Sequence, residues 1–281
     1  MTPMQPSTPN RALLQPATPV VVEADAVADA ADRRAGVRTR AARPDELDAV
    51  LARFEATWGV GRGPDHGMLQ ALEHAGNTLL IAVDDRVSDA SAAPALGATL
   101  GFLGWSGGLH VHSHMNAVDP VARGRGIGVA LKLRQRAICL AHGIDEMRWT
   151  YDPLIRRNAH LNLVRLGAEV AAFRPDFYGV LGDAISGDDH SDRFEVRWRL
   201  DSPRTTRALA GRPVPEWRAE GGLALVADYE QVRASDFPLA SRLRAASRAA
   251  FALLSDDAGL RVELDSVGDY VFTRDDPDRE A

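Results

Sequence analysis

A segment rich in glycine and arginine, residues 119–130, contains the residue types that bind anions. It reads Asp-Pro-Val-Ala-Arg-Gly-Arg-Gly-Ile-Gly-Val-Ala and is predicted to follow a strand and to open a helix. Glycines let the backbone turn tightly beside a ligand, and the first N–H groups of a helix have no acceptor within the helix. Between positions 120 and 144 there are five basic residues and no acidic residue. The segment therefore predicts an anion site, typically for phosphate.

The glycine spacing separates this turn from two common phosphate-binding motifs. Gly124, Gly126 and Gly128 alternate, whereas a dinucleotide-binding turn has the spacing Gly-x-Gly-x-x-Gly and belongs to a parallel unit. A nucleotide P-loop needs Gly-Lys followed by Ser or Thr, and this segment lacks it. The spacing argues against both classes.

Three histidines precede the turn on a predicted strand, and His110, His112 and His114 alternate, so we expect them on one face. Three interpretations stay open. The imidazoles could ligate zinc, although ligands on one flat strand diverge and no fourth ligand is set nearby. They could be polar residues of a partly exposed strand. In a catalytic role, a neutral imidazole with an ordinary pKa of about 6.5 would take the proton that an attacking ammonium must lose. His112 and His114 are the candidates for that role, with His112 favoured, and His110 is expected to be structural.

The pattern of apolar and turn residues predicts the elements that hold these groups. Strands are predicted at 37–40, 78–83, 96–105, 109–118, 146–150, 168–173 and 193–200. Helices are predicted from Pro44, at 65–75, from the glycine turn to near His142, and at 156–166. Neighbouring strands with short connections suggest an antiparallel meander ahead of the turn.

Composition divides the 281 residues into four segments. Residues 1–34 are rich in proline, alanine and small polar residues and are expected to be disordered. Residues 35–200 carry the strands and helices of one α/β domain. Residues 201–222 are rich in Arg, Pro and Gly and read as a linker. Residues 223–281 are expected to form a small C-terminal α/β extension with one helix and a closing hairpin.

Charge and cysteine content exclude several classes of protein. There are 33 basic and 39 acidic residues, a net charge of −6, which argues against general nucleic-acid binding. A single cysteine, Cys139, allows no intrachain disulfide. No apolar run approaches the roughly 18 residues of a membrane span, and the N-terminus has no signal-peptide pattern. We therefore expect a cytoplasmic protein without a membrane partner.

Arg123-x-x-Gly126-x-Gly128 resembles the acyl-CoA signature of the GNAT superfamily of N-acyltransferases, Gln/Arg-x-x-Gly-x-Gly/Ala, in the same strand–turn–helix context. The order of elements over residues 37–200 also resembles that superfamily. The resemblance implies an α/β fold of the α+β kind, with a mixed, mostly antiparallel sheet flanked by helices. It implies that backbone N–H groups of the turn hold the CoA pyrophosphate and that the preceding strand end pairs with the pantetheine arm. The implied CoA-binding residues are Ala117, Val118, Arg123, Gly124, Arg125, Gly126, Ile127, Gly128 and Val129, with Asn158 at the start of a later helix.

Later segments resemble a less characterised GNAT branch with a C-terminal extension. These segments include Trp149-Thr150-Tyr151-Asp152-Pro153-Leu154 and Ser191-Asp192-Arg193-Phe194. Another GNAT branch carries a histidine pair eleven and nine residues before the signature, the spacings of His112 and His114. Many GNAT enzymes place a tyrosine that protonates the departing thiolate at the position of Leu163. Tyr151 and Tyr178 are the phenols that could replace it, and Tyr178 is the candidate acid.

These features together predict an enzyme that moves an acyl group, most simply acetyl or alternatively succinyl, from acyl-CoA to an amine. A small molecule such as an amino acid is the expected acceptor, by direct attack in a ternary complex, and a homodimer is an open option. The alternative is a non-catalytic CoA sensor or scaffold, which Leu163 favours. A zinc protein built on the histidines is the third interpretation; the acyltransferase prediction itself needs no metal.

Overall fold

The computed structural model describes residues 18–87, 94–179, 181–182, 189–257 and 259–280. The disorder predicted for residues 1–17 lies outside the described residues. The strands are β1 Val37–Ala41, β2 Thr78–Asp84, β3 Gly97–Gly104, β4 His110–Val118, β5 Glu146–Tyr151, β6 Glu169–Arg174, β7 Arg193–Arg199, β8 Gly221–Leu223, β9 Arg261–Leu264 and β10 Tyr270–Thr273. The helices are α1 Pro19–Ala35, α2 Leu47–Trp58, α3 His66–His74, α4 Ile127–Ala141, α5 Arg156–Ala159, α6 Pro203–Leu209, α7 Tyr229–Ser235 and α8 Phe237–Asp256. A π-helical stretch, His160–Arg165, continues α5.

The main sheet has seven strands in the order β1-β2-β3-β4-β5-β7-β6. The first four strands form the predicted antiparallel meander. β4 and β5 are parallel and are joined by α4, and β7 lies antiparallel between β5 and β6. The predicted fold class, a mixed and mostly antiparallel sheet flanked by helices, is confirmed by this topology.

Helices cover both faces of the main sheet and enclose two apolar cores. On one face α2 and α3 pack on the meander, with Phe54 and Leu69 buried against Ile81 and Leu100. On the other face α4 buries Leu131 and Leu133 in a larger core that also takes in α1 and the C-terminal residues. Burial of these apolar side chains is the main driving force that fixes α4, and therefore its first turn, against the sheet.

The expectation of disorder through residue 34 is wrong for residues 19–34, which belong to α1. Thr18 caps the helix, and Gly36 ends it in the left-handed conformation. One face of α1 buries alanines against α4. Alanine is only weakly hydrophobic, so this face gives a weak amphipathic pattern in the sequence. The other contribution is ionic: Asp29 and Asp32 accept hydrogen bonds from Arg134 of α4. The small alanine side chains allow α1 and α4 to approach closely. Arg134 adds ion pairs that the composition of residues 19–35 does not reveal.

The expectation of a linker at 201–222 is wrong for residues 203–209, which form α6 with Ser202 as its cap. Arg204 of α6 is buried and makes a two-pronged ion pair with Glu263 of β9. It also donates to the carbonyl oxygens of Gly167 and Leu163 in the main domain. A buried pair of this kind specifies one geometry, because losing either partner leaves a charge in the interior.

The C-terminal residues pack on the main sheet through a second, three-stranded sheet in the order β8-β10-β9. The predicted hairpin, 261–264 and 270–273, coincides with β9 and β10. Phe251 of α8 contacts Phe194 of β7 at 4.5 Å between ring centroids, and Tyr270 contacts both rings. Arg244 of α8 is buried and pairs with Asp152 and Asp189. Extension and main domain therefore share one core. No helix among the described residues is long and apolar enough to cross a membrane.

Candidate active site

The glycine turn connects the end of β4 to the start of α4. Asp119 caps a short 3₁₀ turn by accepting from the Val121 N–H, and it also accepts from Arg53 of α2. Gly124 and Gly126 have φ of 81° and 91°, in the left-handed region that side chains rarely adopt. The predicted strand–turn–helix context is therefore present, and two of the three glycines are required by the backbone.

Five consecutive N–H groups of this turn have no acceptor within the described part of the chain. The Arg123 N–H donates to Pro120, and the Val129 and Ala130 N–H groups donate to Gly126. The N–H groups at positions 124–128 between them donate to neither backbone nor side chain. Such groups sit at the positive end of the helix dipole and favour an anion. This is the array that a pyrophosphate needs.

A cavity of about 330 Å³ opens in front of these N–H groups. Its lining contains three arginines, Arg34 of α1, Arg125 of the turn and Arg165 of the π-helical stretch, together with His160. Arg125 also fixes the turn to α1 by donating to the carbonyl oxygens of Ala35 and Gly36. No carboxylate belongs to the lining, so the cavity suits an anion rather than a cation.

β4 and β5 separate beside the turn. They pair only at Val111 with Met147 and at His112 with Arg148. Beyond these pairs, residues 113–118 of β4 have no strand partner on the β5 side, and the polar groups of this edge are free for an extended ligand. The gap starts beside the histidines and widens toward the glycine turn. The chain thus has a four-strand meander, a splayed parallel pair, a glycine turn into the crossover helix, and two antiparallel strands beyond.

This topology is the one that the resemblance to the GNAT superfamily implies.

No family model and no curated protein matches this chain. Solved structures with a similar fold include Naa20 from Chaetomium thermophilum in complex with a bisubstrate analogue, with 20% identity, 64% of this chain and 93% of that chain covered, and a TM-score of 0.46. A second is yncA, a putative acetyltransferase from Salmonella typhimurium with acetyl-CoA. It is 18% identical, the match covers 59% of this chain and 95% of that chain, and the TM-score is 0.46. A third is the ribosomal-protein-S18-alanine N-acetyltransferase from Escherichia coli. It is 12% identical, the match covers 58% of this chain and 94% of that chain, and the TM-score is 0.46.

The residues expected to bind CoA fall into two groups in the structure. The side chains of Ala117 and Ile127 are buried in the cores, so only their backbone could reach a ligand. Val118 lies beside Gly128, where a Cβ would stand 3.5 Å from Val118 Cγ2. Val129 lines the cavity together with Gly124, Arg125 and Gly126, and Arg123 is exposed. Asn158 does not line the cavity, and its role stays a prediction.

Asn116 of β4 gives an independent sign of a missing partner. Its Nδ2 donates to the Gly128 carbonyl oxygen at 3.1 Å and ties the strand to the first turn of α4. Its Oδ1 is buried and has no hydrogen-bond donor in the described part of the chain. Buried polar atoms normally have partners, so this acceptor fits an N–H group of a ligand lying along β4. The amide groups of a pantetheine arm satisfy that requirement.

His112 and His114 lie together on the face of the sheet that carries α2 and α3. Their ring centroids are 5.9 Å apart, and both rings contact Phe102 of β3, at 5.3 and 5.8 Å. Burial, helped by His114 and Lys132, lowers the pKa of His112 to about 4, and burial also lowers the pKa of His114. Both imidazoles are therefore neutral at pH 7 and can accept a proton.

A buried polar chain holds the strand between the two histidines. Gly101 pairs with Ser113 and Leu100 with Met115, so His114 is an extra residue that forms a β-bulge. Ser113 points to the opposite face, where Lys132 Nζ donates to its hydroxyl at 2.7 Å. Ser113 donates to Gln135 Oε1, and Gln135 donates to Thr78. The bulge that brings the imidazoles together is therefore fixed from beneath by α4.

Lys132 occupies the point where β4 and β5 begin to separate. Its ammonium contacts Ser113, the β4 residue after the last pair, and lies 3.8 Å from the ring centroid of Trp149, the β5 residue after the last pair. Only 4% of the residue is exposed, and burial lowers the pKa of Lys132 to about 7. In the sequence Lys132 is the only lysine and one of five basic residues between positions 120 and 144. No spacing rule distinguishes a buried lysine from an exposed one.

The two tyrosine candidates separate clearly. Tyr178 is exposed, and its hydroxyl lies 3.1 Å from Thr150 Oγ1 of β5. Tyr151 is buried, with its hydroxyl against Tyr270, and burial raises its pKa well above the ordinary value. The expectation that either phenol could reach the site is wrong for Tyr151, which belongs to the shared core. Leu163 is buried and offers no proton.

His110 and Cys139 have structural surroundings. His110 Nδ1 contacts the Gly108 carbonyl oxygen, and its ring fills the space above Gly104. Cys139 is buried in α4, where burial raises the pKa of its thiol to about 12. Within the described ranges no group of three histidine, cysteine or acidic side chains could hold a metal ion, so the zinc interpretation finds no ligand set.

Arg34 and Arg165 are the cavity residues that sequence reasoning missed. Arg34 falls in the segment expected to be disordered, and Arg165 lies in a stretch whose π-helical turn no residue pattern signals. The basic pair Arg33-Arg34 just before a glycine was the one available sign, because it marks a helix end.

Proposed function

We propose that this chain is an acyl-CoA-dependent N-acyltransferase. One observation carries the proposal: five free N–H groups at the start of α4 lie directly beside the unpaired edge of β4. A ligand with a diphosphate at one end and an extended, amide-containing arm satisfies both features together. Acyl-CoA has that chemistry, and the free Oδ1 of Asn116 lies where the arm would run.

The length of the unpaired edge fits the arm. From Val118 back to Ser113 the strand spans about 17 Å, at roughly 3.3 Å per residue, which is comparable with an extended pantetheine arm. A thioester delivered along this edge arrives at the bulge, between the imidazoles on one face and Lys132 on the other. The acceptor amine then approaches from the face that carries His112, His114 and Tyr178.

In the proposed reaction, the neutral amine nitrogen attacks the thioester carbonyl carbon, and the carbon–sulfur bond breaks. His114 is the better proton acceptor of the pair, because it is more exposed than His112, whose pKa is depressed to about 4 by burial. This order differs from the sequence preference for His112. His112 and Phe102 then position the second imidazole. The thiolate, with a pKa near 8.5, needs only modest help at neutral pH, and the Tyr178 hydroxyl is the nearest phenol on that face.

We propose acetyl as the transferred group and a small amine, such as an amino acid, as the acceptor. A succinyl donor would need a free cation near the gap. Arg148, the arginine paired opposite His112, already donates to the carbonyl oxygens of Ser106 and Gly107 and pairs with Glu146. Arg148 is therefore not free to bind the carboxylate of a succinyl group, which supports acetyl as the transferred group.

The direct test is amine-dependent release of free thiol from acetyl-CoA, measured with a panel of amino acids, polyamines and short peptides with free N-termini. Release that depends on one class of amine supports transfer and names the acceptor. Peptide-only release would replace the small-molecule acceptor. Tight binding of acetyl-CoA without release for any amine would support a CoA sensor or scaffold.

That second function has its own observation. Leu163 stands buried at the position where a proton donor is expected, and the low pKa of His112 makes it a weak base. The two functions share the donor site and differ only in turnover, so binding and release measured on one preparation separate them.

A further inference from the structure

A second and larger cavity, of about 850 Å³, lies between α5 and the C-terminal extension. One wall comes from the first turns after β5, with Arg156, Arg157 and His160. The other wall comes from residues 213–217, which precede the extension, and from residues 265–268 of the extension. The proposed chemistry on β4 uses none of these groups. The volume is that of an ordinary ligand site.

This extension cavity adjoins the phosphate cavity in front of the glycine turn. His160 lines both of them. A ligand whose diphosphate rests on the free N–H groups at 124–128 can therefore continue past His160 into the extension cavity without crossing the sheet. In acyl-CoA, the arm leaves the diphosphate on one side and a 3′-phosphorylated adenosine leaves it on the other.

The lining of the extension cavity holds one buried donor without a partner and, beside it, one exposed carboxylate. The Nε1–H of Trp217 is buried and has no acceptor in the described part of the chain. Glu216 beside it makes no ion pair or hydrogen bond with any described residue. A buried N–H without a partner is costly, so Trp217 calls for an acceptor atom from a ligand. Proline and valine side chains complete an apolar wall around the indole.

The two arginines have different tasks. Arg156 is committed to the extension, because it donates to the carbonyl oxygens of Leu225 and Val267 and pairs with Asp269. Arg157 pairs with Glu230 through one nitrogen and is the more exposed of the two, so its other N–H groups face the solvent. Arg157 and His160 thus supply positive and neutral donors at the end of the cavity nearest the phosphate site.

We propose that the extension cavity binds the 3′-phosphoadenosine half of the acyl donor, an inference that rests on the proposed function. Adenine offers a flat apolar face, ring nitrogens that accept a hydrogen bond, and an amino group that donates one. Those match the apolar wall, the Trp217 N–H and the Glu216 carboxylate. The 3′-phosphate pairs with Arg157. The segment that precedes the extension is therefore a part of the donor site and recognises the nucleotide.

The experiment is a calorimetric titration of the full chain with adenosine 3′,5′-bisphosphate, which carries the nucleotide half alone. Trp217→Phe keeps the ring and removes the N–H, and Glu216→Gln keeps the size and removes the charge. We expect Trp217→Phe to weaken binding of the bisphosphate about tenfold, as for one lost hydrogen bond to a buried partner. Glu216→Gln, at an exposed position and with an acceptor oxygen retained, is expected to weaken it less. The rate with S-acetylpantetheine, which has no nucleotide, is expected to stay unchanged. Trp105→Phe, at a tryptophan that is 79% exposed beyond β3, is the matched control.

Each result has one meaning. Unchanged bisphosphate affinity in both variants, at unchanged thermal midpoints, overturns the inference. So does a wild-type chain that binds CoA and ignores the bisphosphate, although the acyltransferase proposal then stands. If the wild-type chain binds neither CoA nor the bisphosphate, the proposed function fails first and the inference falls with it.

Discussion

The proposed donor side and the proposed acceptor side of the β4–β5 gap are built differently. The proposed donor side is formed mainly by backbone: five N–H groups without an acceptor among the described residues, two glycines with positive φ, and the arginines that line the cavity. The proposed acceptor side is formed by side chains: two neutral imidazoles and a phenol, with a buried lysine beneath that fixes the strand between the imidazoles. The difference explains why glycine spacing predicts the first and only weakly predicts the second.

The comparison predicts opposite responses to substitution. A backbone site is lost when the backbone can no longer adopt its conformation, and the donor then fails to bind. A side-chain site is lost when a proton acceptor is removed, and turnover then fails while the donor still binds. Four variants test this contrast, from the largest effect to the smallest.

Removing both imidazoles is expected to have the largest effect. His112→Ala with His114→Ala should lower kcat by about 10²–10⁴, the range of general base catalysis, with the KM for the acyl donor unchanged. Steady-state kinetics at pH 7.5 measures both quantities. His142→Ala, at the end of α4, is the control. If the donor KM rises and kcat persists, the histidines belong to the donor side and the contrast is wrong.

Gly126→Val should weaken binding of the acyl donor by about 100-fold. At Gly126 φ is 91°, and a Cβ would point into the open cavity. Gly211→Val carries a comparable backbone penalty, because Gly211 also has positive φ and an open surrounding, far from the glycine turn. Both variants should lose a similar amount of stability, and only Gly126→Val should lose CoA in calorimetry. Equal CoA affinity in the two variants would show that the turn is structural.

Lys132 lies between the two sides, and we expect its titration to make the free energy of unfolding depend on pH. Its folded pKa of about 7 lies below the unfolded value of about 10.4, so the unfolded chain binds a proton that the folded chain does not. The free energy of unfolding should therefore rise between pH 7.5 and 9.5, with a slope of at most about 1.4 kcal/mol per pH unit. Lys132→Met should lack this rise in urea unfolding. If the free energy of unfolding changes with pH in the same way in the wild-type chain and in Lys132→Met, then the lysine is exposed to water.

Arg34 should give the smallest effect, because it is exposed and its charge is screened. Arg34→Gln is expected to weaken CoA binding about three-fold at low salt, and the difference should vanish near 1 M salt. Arg33→Gln removes the same charge from the neighbouring position, outside the cavity lining. Identical losses for both arginines would mean that α1 contributes only net charge.

Most of the main sheet could be predicted from the sequence, because strand alternation and helix periodicity report burial directly. The meander, the crossover helix and the closing hairpin all lie where the pattern puts them. The turn was predictable as well, since only glycine tolerates the backbone that it adopts.

Residues 19–34 and 203–209 depart from the sequence expectation for a physical reason. α1 packs through alanines, and its aspartates pair with Arg134 from a distant segment, so composition alone reads as disorder. α6 is held by Arg204 pairing with Glu263, a contact across 59 positions. Ion pairs between distant segments leave no signal in the local sequence. The surroundings of Lys132 and the extension cavity are also formed by distant segments, so they could not be predicted either.

The most direct test of the central claim is thermal unfolding of the full chain with acetyl-CoA, CoA, succinyl-CoA and S-acetylpantetheine at matched concentrations. At 100 times its Kd a ligand of the folded state adds about 2.7 kcal/mol, which is seen as a raised midpoint. The account predicts a clear rise with the three CoA compounds, little with S-acetylpantetheine, and none for Gly126→Val. An unchanged midpoint with all three CoA compounds in the wild-type chain would contradict it.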